Sequence, residues 1–406
     1  MHTCVESAFA AIWPSRADNI YNDTRPAPPL SLVAADAGRV PRCAQSSDST
    51  VLFVHLAGHM RSFANNTAEI LDFLDATASC WFVIMFTLEH QETRRPWWCG
   101  TQLDTANSGG HQHCYAATAK AASASVADNL AAMAEPLRSA PNGGFAYAVG
   151  ARAFEPLVAD TAILQNFAAV TAADRCVLTH HGIAPQRSDI ILQSRPDVLY
   201  GDAIDFSRLA TLGARAEVAA SLPLLLLLRH GATAGLVGIG GKDPSEVTWL
   251  ATRSALDLLC AERGKCLGVA SALGMKRRFP KSGCGHPFVS LLVHSAVPLG
   301  VGVFFVEAGW KISLRRTHGD NSRNYNGGEV TVDGRAGRRR DLTLGLRCAV
   351  GHNHRNESAC VKATEPLAQT RWGLANMSTS FAYGARYFLC MDALDLEGLV
   401  LRAAAL

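Results

Sequence analysis

The sequence has little charge, no long apolar run and no Cys-x-x-Cys motif. Charged residues make up 18% of its 406 residues and leave a net charge of +3. A net charge this small and dispersed does not give the protein the strong positive field that attracts nucleic acids or anionic surfaces. No nucleic acid is therefore expected as a partner. The longest purely apolar run spans residues 222–228, far below the roughly 18 residues that a membrane helix needs, so no membrane span is expected.

The twelve cysteines contain no Cys-x-x-Cys pair, which argues against a zinc knuckle, and they are too sparse for a disulfide-dense scaffold. Four Asn-x-Ser/Thr sequons, at Asn22, Asn65, Asn356 and Asn376, would be usable in the ER or Golgi lumen. The secretory pathway is therefore compatible with the sequence, although neither a signal nor an anchor is visible. Free buried thiols and unmodified asparagines are the alternative.

Two common catalytic motifs are also missing. No Gly-x-Ser-x-Gly occurs, which argues against an α/β-type serine hydrolase. The glycine-rich stretch 235–245 is not a P-loop, because Leu236 replaces the first glycine and Asp243 follows Lys242 where Ser or Thr is required.

The apolar segments that are present alternate between strand and helix patterns. Residues 51–58 and 81–88 are continuous apolar strands, and between them a helix is predicted with Asn66 as its N-cap. A strand, a helix and a strand in about forty residues indicate a βαβ unit of a parallel sheet. We also expect a strand at 190–194 and an amphipathic helix over 245–262.

The predicted fold is α/β, with a Rossmann-like, mostly parallel sheet flanked by helices. This domain is expected to span residues 49–318. Residues 1–48 are predicted to be an irregular N-terminal segment, because they are rich in Pro, Asp, Ser and Ala without periodicity. Residues 319–406 form a C-terminal extension of unknown role.

Ligands of such sheets bind outside the carboxyl ends of the strands, and one candidate site follows the first strand. Gly58 ends this strand, and His59, Arg61 and Ser62 fall in the turn before the helix. Backbone amides at a helix N-terminus, together with an arginine, suit a phosphate. The alternative is a turn that only caps the helix.

The second candidate site is the stretch SRPDVLYGD, which closes the strand at 190–194. Arg195, Pro196 and Asp197 stand at its end, and Asp202 follows. Oxygen ligands at a strand end suit Mn²⁺ or Mg²⁺, so Asp197 and Asp202 are the predicted metal ligands. The alternative is a surface pair between Arg195 and Asp197 without any ligand.

The order of these stretches resembles a group of poorly characterised glycosyltransferase-like proteins with a GT-A-like fold. The similarity spans roughly residues 50–316. Its motifs are a Gly-His-x-Arg-x-Phe turn at Gly58, an Arg-x-Arg-Pro-Asp strand end at Asp197 and a later His-Pro-Glu, represented here by His286 and Pro287.

This resemblance implies transfer of a sugar from a nucleoside diphosphate sugar to a glycan or protein acceptor. Asp197 would hold the divalent cation, and Arg61 and Arg195 would face the diphosphate. His286 belongs to the implied substrate-binding set. Asp243, Glu246 and Glu307 are candidate catalytic bases that the sequence does not rank.

Two departures from the family pattern leave other functions open. Gln193 replaces the first arginine of Arg-x-Arg-Pro-Asp, and Phe288 replaces the glutamate of His-Pro-Glu. A degenerate protein that binds a nucleotide sugar or glycan without turnover is therefore the main alternative. A phosphotransferase or nucleotide hydrolase that uses the same strand-end metal is a third.

Overall fold

The structure is a computed structural model, in which the described residues are 1–13, 29–45, 50–60, 63–89, 125–151, 159–196, 198–200, 206–220, 223–229, 244–260, 299, 301–307 and 312–314. The helices in these ranges are α1 (His2–Ile12), α2 (Phe63–Thr77), α3 (Val126–Met133), α4 (Glu135–Ser139), α5 (Ala159–His181), α6 (Phe206–Ala220) and α7 (Arg253–Leu259). The strands are β1 (Leu32–Asp36), β2 (Leu52–Ala57), β3 (Trp81–Leu88), β4 (Gly143–Gly150), β5 (Ile190–Ser194), β6 (Val198–Tyr200), β7 (Leu224–Arg229), β8 (Pro244–Thr252), β9 (Gly302–Glu307) and β10 (Ile312–Leu314). No helix of the described residues is long and apolar enough to cross a membrane.

Eight of the described strands form one mixed sheet in the order β1-β4-β3-β2-β5-β8-β7-β9. Strands β4, β3, β2 and β5 are parallel neighbours, and β7 pairs in parallel with β9. Strands β1 and β8 run against the others. Strands β6 and β10 form a separate antiparallel pair. The α/β prediction, with a mostly parallel sheet flanked by helices, is confirmed.

Successive residues of a strand point to opposite faces of the sheet, so this sheet has two cores. The first face contacts α1, α5 and α7, and includes Phe53, Phe82 and Trp249. The second face contacts α2, α3, α4 and α6, and includes Leu52, Leu74 and Trp81. Strands covered on both sides appear in the sequence as continuous apolar runs, which is why β2, β3 and β5 were predicted correctly.

The N-terminal segment is more ordered than its composition predicts. Within residues 1–48 the structure contains helix α1 and strand β1, so the expected irregular segment is wrong for these parts. Helix α1 buries Val5, Phe9 and Ile12 against the first core. Helix α1 was not predicted from the sequence, because it has only a single apolar stripe and no capping side chain to mark its start.

Two secondary-structure predictions, an N-cap and a helix, also differ from the structure. Helix α2 begins at Phe63, whose backbone N–H donates to the Met60 carbonyl at 2.7 Å, so Asn66 lies inside the helix and is not its N-cap. A helix is predicted over 245–262, but the described residues of this stretch form strand β8 followed by the short helix α7. Strand β8 is inserted between β5 and β7, and pairing with both neighbours outweighs the helical spacing of its apolar residues.

Disulfides tie the N-terminal elements to the first core. Cys4 of α1 is bonded to Cys176 of α5, and Cys43 is bonded to Cys80 just before β3. Cys260 is a disulfide cysteine as well. Every cysteine of the described residues is thus oxidised, so the alternative of free buried thiols does not apply to them.

Candidate functional site

The chain order of the sheet defines one crevice. Along the chain, β2, β3 and β4 are added one after another toward one edge of the sheet, and β5 then pairs with the other side of β2. Doubly wound sheets bind ligands outside the carboxyl ends of the strands at the point where the strand order reverses. In this chain that point lies between β2 and β5, the two strands that carry both predicted sites.

The turn after β2 depends on a glycine. Gly58 donates its N–H to the Phe86 carbonyl at 3.1 Å, which continues the ladder with β3. Its φ of +131° is a conformation that residues with a side chain rarely adopt. A Cβ built on Gly58 would come 4.0 Å from Cδ of Pro196, so the ends of β2 and β5 lie side by side. His59 follows and is half-buried.

A tight turn ends β5 at the same edge. The N–H of Val198 donates to the carbonyl of Arg195 at 3.3 Å, with Pro196 buried between them. Proline suits the second position of such a turn and cannot continue a ladder. Strand β6 then packs on α2, where Tyr200 stacks on Phe73 with ring centroids 4.2 Å apart. The half-buried Arg195 is therefore held next to the Gly58 turn.

Strands β8, β7 and β9 bring further charged residues to this edge. Arg229 ends β7 and is in register with Pro244, the first residue of β8, and with Glu307, the last residue of β9. Because β8 runs against the parallel strands, Glu246 lies near the same end of the sheet. Two of the three candidate bases, Glu246 and Glu307, are thus placed by register at the carboxyl edge.

A buried polar network lies under the crevice on the first face. Nε2 of Gln193 donates to Nδ1 of His55 at 2.7 Å, and Nε2 of His55 lies 3.3 Å from Oδ1 of Asp174. Both carboxylate oxygens of Asp174 accept hydrogen bonds from the Arg253 guanidinium. The Arg253 guanidinium also lies over the Phe53 ring, 4.8 Å from its centroid. The network links β5, β2, α5 and α7.

Asp174 and Arg253 form a buried ion pair within this network. Burial alone would raise the pKa of Asp174, but Arg253 and then His55 outweigh it and hold the pKa at about 2. Asp174 is therefore ionised at neutral pH. Nδ1 of His55 faces Gln193, and Nε2 is the ring nitrogen that faces Asp174. The network has no solvent-exposed member, because all four side chains are buried.

The same face contains polar atoms that have no hydrogen-bond partner. Both amide atoms of Gln165, Oδ1 of Asn166 and Oε1 of Gln193 are buried and unpartnered. Gln165 and Asn166 are not among the site residues predicted from the sequence. Their signal was two adjacent amides in an otherwise apolar helical stretch, AILQNFAAV.

Several predicted residues lie outside the described part of the chain. These are Arg61, Ser62, Asp197, Asp202, Asp243 and His286. Within the described part, no group of three or more His, Cys, Asp or Glu side chains is arranged to hold a metal ion. Of the predicted site residues, the structure thus places Gly58, His59, Arg195 and Glu246 at one edge of the sheet.

The sequence matches no protein-family model, and no curated protein sequence is significantly similar to it.

Proposed function

We propose that the crevice between β2 and β5 binds a nucleoside diphosphate sugar and that the protein transfers the sugar to a glycan or protein acceptor. The observation that carries the proposal is the meeting of Gly58 and Pro196 at the reversal point of the strand order. It brings the Gly58 turn and Arg195 to one place. A GT-A-like version of the α/β fold is part of this proposal.

In the proposed reaction, the bond between the anomeric carbon and the diphosphate breaks and the acceptor oxygen forms a new bond to that carbon. Arg195 stabilises the negative charge on the leaving diphosphate. Glu246 or Glu307, at the same edge, accepts the proton of the acceptor hydroxyl, and Asp243 is a third candidate.

A divalent cation, if bound, would add charge neutralisation at the diphosphate. We assign it to Asp197 and Asp202, because carboxylate oxygens that follow a strand end suit Mn²⁺ or Mg²⁺. No step of the reaction above is derived from it.

A specific observation favours a second candidate, ligand binding without turnover. Gln193, at the position where the resembling family has an arginine, is fully buried and donates to His55. It therefore supplies no positive charge to the crevice, and Arg195 must neutralise the diphosphate with less help.

Thermal-shift measurements with UDP-, GDP- and CMP-sugars, with and without Mn²⁺, test the proposal, followed by a donor-hydrolysis assay on the sugar that binds. We expect a shift with at least one donor, and turnover separates the enzyme from the binding protein. If folded protein shows no shift with any donor, both candidates are wrong.

Two variants test the assigned residues. Arg195→Gln should weaken donor binding by about tenfold or more, since a charge-assisted hydrogen bond is lost. Asp197→Asn should abolish only the Mn²⁺-dependent part of binding. Unchanged Mn²⁺ dependence in folded Asp197→Asn would refute the metal assignment.

We further propose that the protein acts in an oxidising compartment such as the secretory lumen. The support is that Cys4, Cys43, Cys80, Cys176 and Cys260 are all disulfide-bonded. Mass mapping of the unreduced, alkylated protein should recover the Cys4–Cys176 and Cys43–Cys80 peptides as linked pairs.

A further inference from the structure

Gln165 and Asn166 of α5 are buried amides without partners. Gln165 is 1% exposed and Asn166 is 9% exposed. Neither Nε2 nor Oε1 of Gln165 makes a hydrogen bond, and Oδ1 of Asn166 makes none. Buried side-chain amides are almost always hydrogen-bonded, because an unpaired one loses its interactions with water and gains nothing in return. A polar group that binds here would remove this cost.

The path of α5 places these amides near the crevice. Helix α5 connects the parallel strands β4 and β5, so it runs opposite to them along the first face. Its last residue, His181, packs edge-on against Phe82 near the start of β3. Farther back along the helix, Asp174 meets His55 in the second half of β2. Moving toward the N-terminus of α5 thus means moving toward the carboxyl edge of the sheet.

The rise per residue in helices and strands gives the position of Gln165 along the strand direction of the sheet. It precedes Asp174 by nine residues, which is about 13 Å along a helix axis. Gly58 follows His55 by three residues, which is about 10 Å along a strand. Helix α5 packs on β2 and β3. Gln165 therefore lies near the level of the Gly58 turn, on the side of the sheet opposite to α2.

A third acceptor lies just below. Phe167 packs against Trp249, with ring centroids 5.7 Å apart, and Trp249 is in register with Gln193. Oε1 of Gln193 is buried and unpartnered on this face. Between Gln193 and the N-terminal turns of α5, the interior thus offers three unpaired acceptors and one unpaired amide donor group.

The chemistry of these atoms selects the ligand. An anion accepts hydrogen bonds only, so it would leave the three acceptor oxygens unpaired. A hydroxyl both donates and accepts, and neighbouring hydroxyls can pair with both ends of a carboxamide. The unpaired atoms therefore suit the neutral, hydroxyl-bearing part of a ligand.

We propose that Gln165 and Asn166 bind a vicinal diol of the ligand in the crevice, while Arg195 binds its charged part. This inference rests on the proposed function for the identity of the ligand. Ribose and the transferred sugar both present such a diol, and the experiment below distinguishes them.

The test uses the full chain and the variants Gln165→Leu and Asn166→Leu, with Thr171→Val as the matched control. Thr171 is a buried polar residue of the same helix, but its hydroxyl already donates to the Phe167 carbonyl at 2.8 Å. The melting temperature of the ligand-free protein is measured first, and the Kd values for UDP, UDP-glucose and GDP-mannose follow by calorimetry.

Gln165→Leu should not lower the melting temperature of the ligand-free protein, since it removes an unsatisfied polar group. It should weaken binding by about tenfold or more, because a ligand hydroxyl loses its partner. Thr171→Val should leave the Kd unchanged. An equal loss for UDP and UDP-glucose assigns the diol to ribose, whereas a loss for UDP-glucose alone assigns it to the sugar.

Three results would overturn the inference. A lower melting temperature in Gln165→Leu would show that the amide has partners inside the ligand-free protein. Unchanged Kd values in both leucine variants, with donor binding intact in the wild type, would refute the diol site alone. No binding by the folded wild type would refute the proposed function and this inference together.

Discussion

The two faces of the sheet are built differently. The second face buries aliphatic and aromatic side chains such as Leu74, Val83 and Met85 under α2, α3, α4 and α6. The first face buries an ionised pair, Asp174 and Arg253, together with His55 and Gln193, among its apolar residues. Both described disulfide pairs contribute a buried cysteine to this first core, Cys176 and Cys80 respectively.

The difference shows where the fold carries specific interactions. Apolar packing tolerates many substitutions of similar volume, whereas a buried ion pair requires each partner in its place. The polar network joins β2 to β5 directly below the ends that carry Gly58 and Arg195. We therefore expect the first face to determine the geometry of the crevice and the second face to supply stability that is independent of pH.

The largest effect is expected from Asp174→Ala. It leaves the Arg253 guanidinium buried without its partner and should lower the free energy of unfolding by about 3–5 kcal/mol at pH 7. The folded-state pKa of Asp174, about 2, lies below its ordinary 3.8. The ionic part of this stabilisation is thus present above pH 4 and is lost as the pH falls toward 2.

Urea unfolding at pH 7 and pH 3 measures the loss of unfolding free energy caused by Asp174→Ala. The control is Leu74→Ala on the second face. Leu74→Ala should cost about 2–5 kcal/mol through the cavity it leaves, at both pH values alike. If the loss caused by Asp174→Ala is also independent of pH, the two faces do not differ in the way described.

Loss of a disulfide is expected to have the next largest effect on stability. Their sequence separations are 172 for Cys4–Cys176 and 37 for Cys43–Cys80. In the chain-entropy account, the longer loop stabilises by about 1 kcal/mol more, within a typical 2–5 kcal/mol for each bond. Replacement of each pair by serines, followed by urea unfolding, checks the order. A larger loss for the Cys43–Cys80 pair would show that strain or residual structure dominates.

Asp189, at the amino end of β5, should give the smallest effect. Burial raises the pKa of its carboxyl to about 6, against the opposing hydrogen bond from the Gln186 N–H and the charge of Arg253. A raised pKa means that folding favours the protonated form. The contribution to stability is therefore full below pH 4 and falls by up to about 3 kcal/mol as the pH rises through 6.

Asp189→Asn should remove this dependence, because a carboxamide does not titrate. Its oxygen still accepts from the Gln186 N–H, a hydrogen bond of 2.8 Å in the wild type. We expect the variant to be more stable than the wild type at pH 7 and equally stable at pH 4. Equal stability of the two proteins at pH 7 would contradict the raised pKa.

The elements that were predicted correctly share one property. Strands β2, β3 and β5 are continuous apolar runs because both of their faces are covered, and such runs are visible in the sequence alone. Strand β8 was wrongly predicted as a helix because the spacing of its apolar residues also fits a helix. Only its pairing with β5 and β7 makes it a strand. Strand β4, GGFAYAVG, was not predicted from the sequence.

The candidate site was also only partly predictable from the sequence. Gly58 and Arg195 were found from the sequence, because a glycine or proline that closes an apolar run marks the end of a strand. His55 and Gln193 are also visible as polar residues inside such runs. The contacts that join them into a network are not visible, because Gln193 is 138 residues from His55, and Arg253 is 79 residues from Asp174, along the chain.

The sequence by itself thus determined the α/β class, the central strands and the two strand ends that carry the candidate site, since these follow from local apolar patterns and turn residues. Tertiary structure alone decided that these ends are neighbours, that β8 is a strand, and that Gln193 faces His55 in the interior. The reason is that strand order and side-chain partners depend on contacts between distant segments, which no local pattern contains.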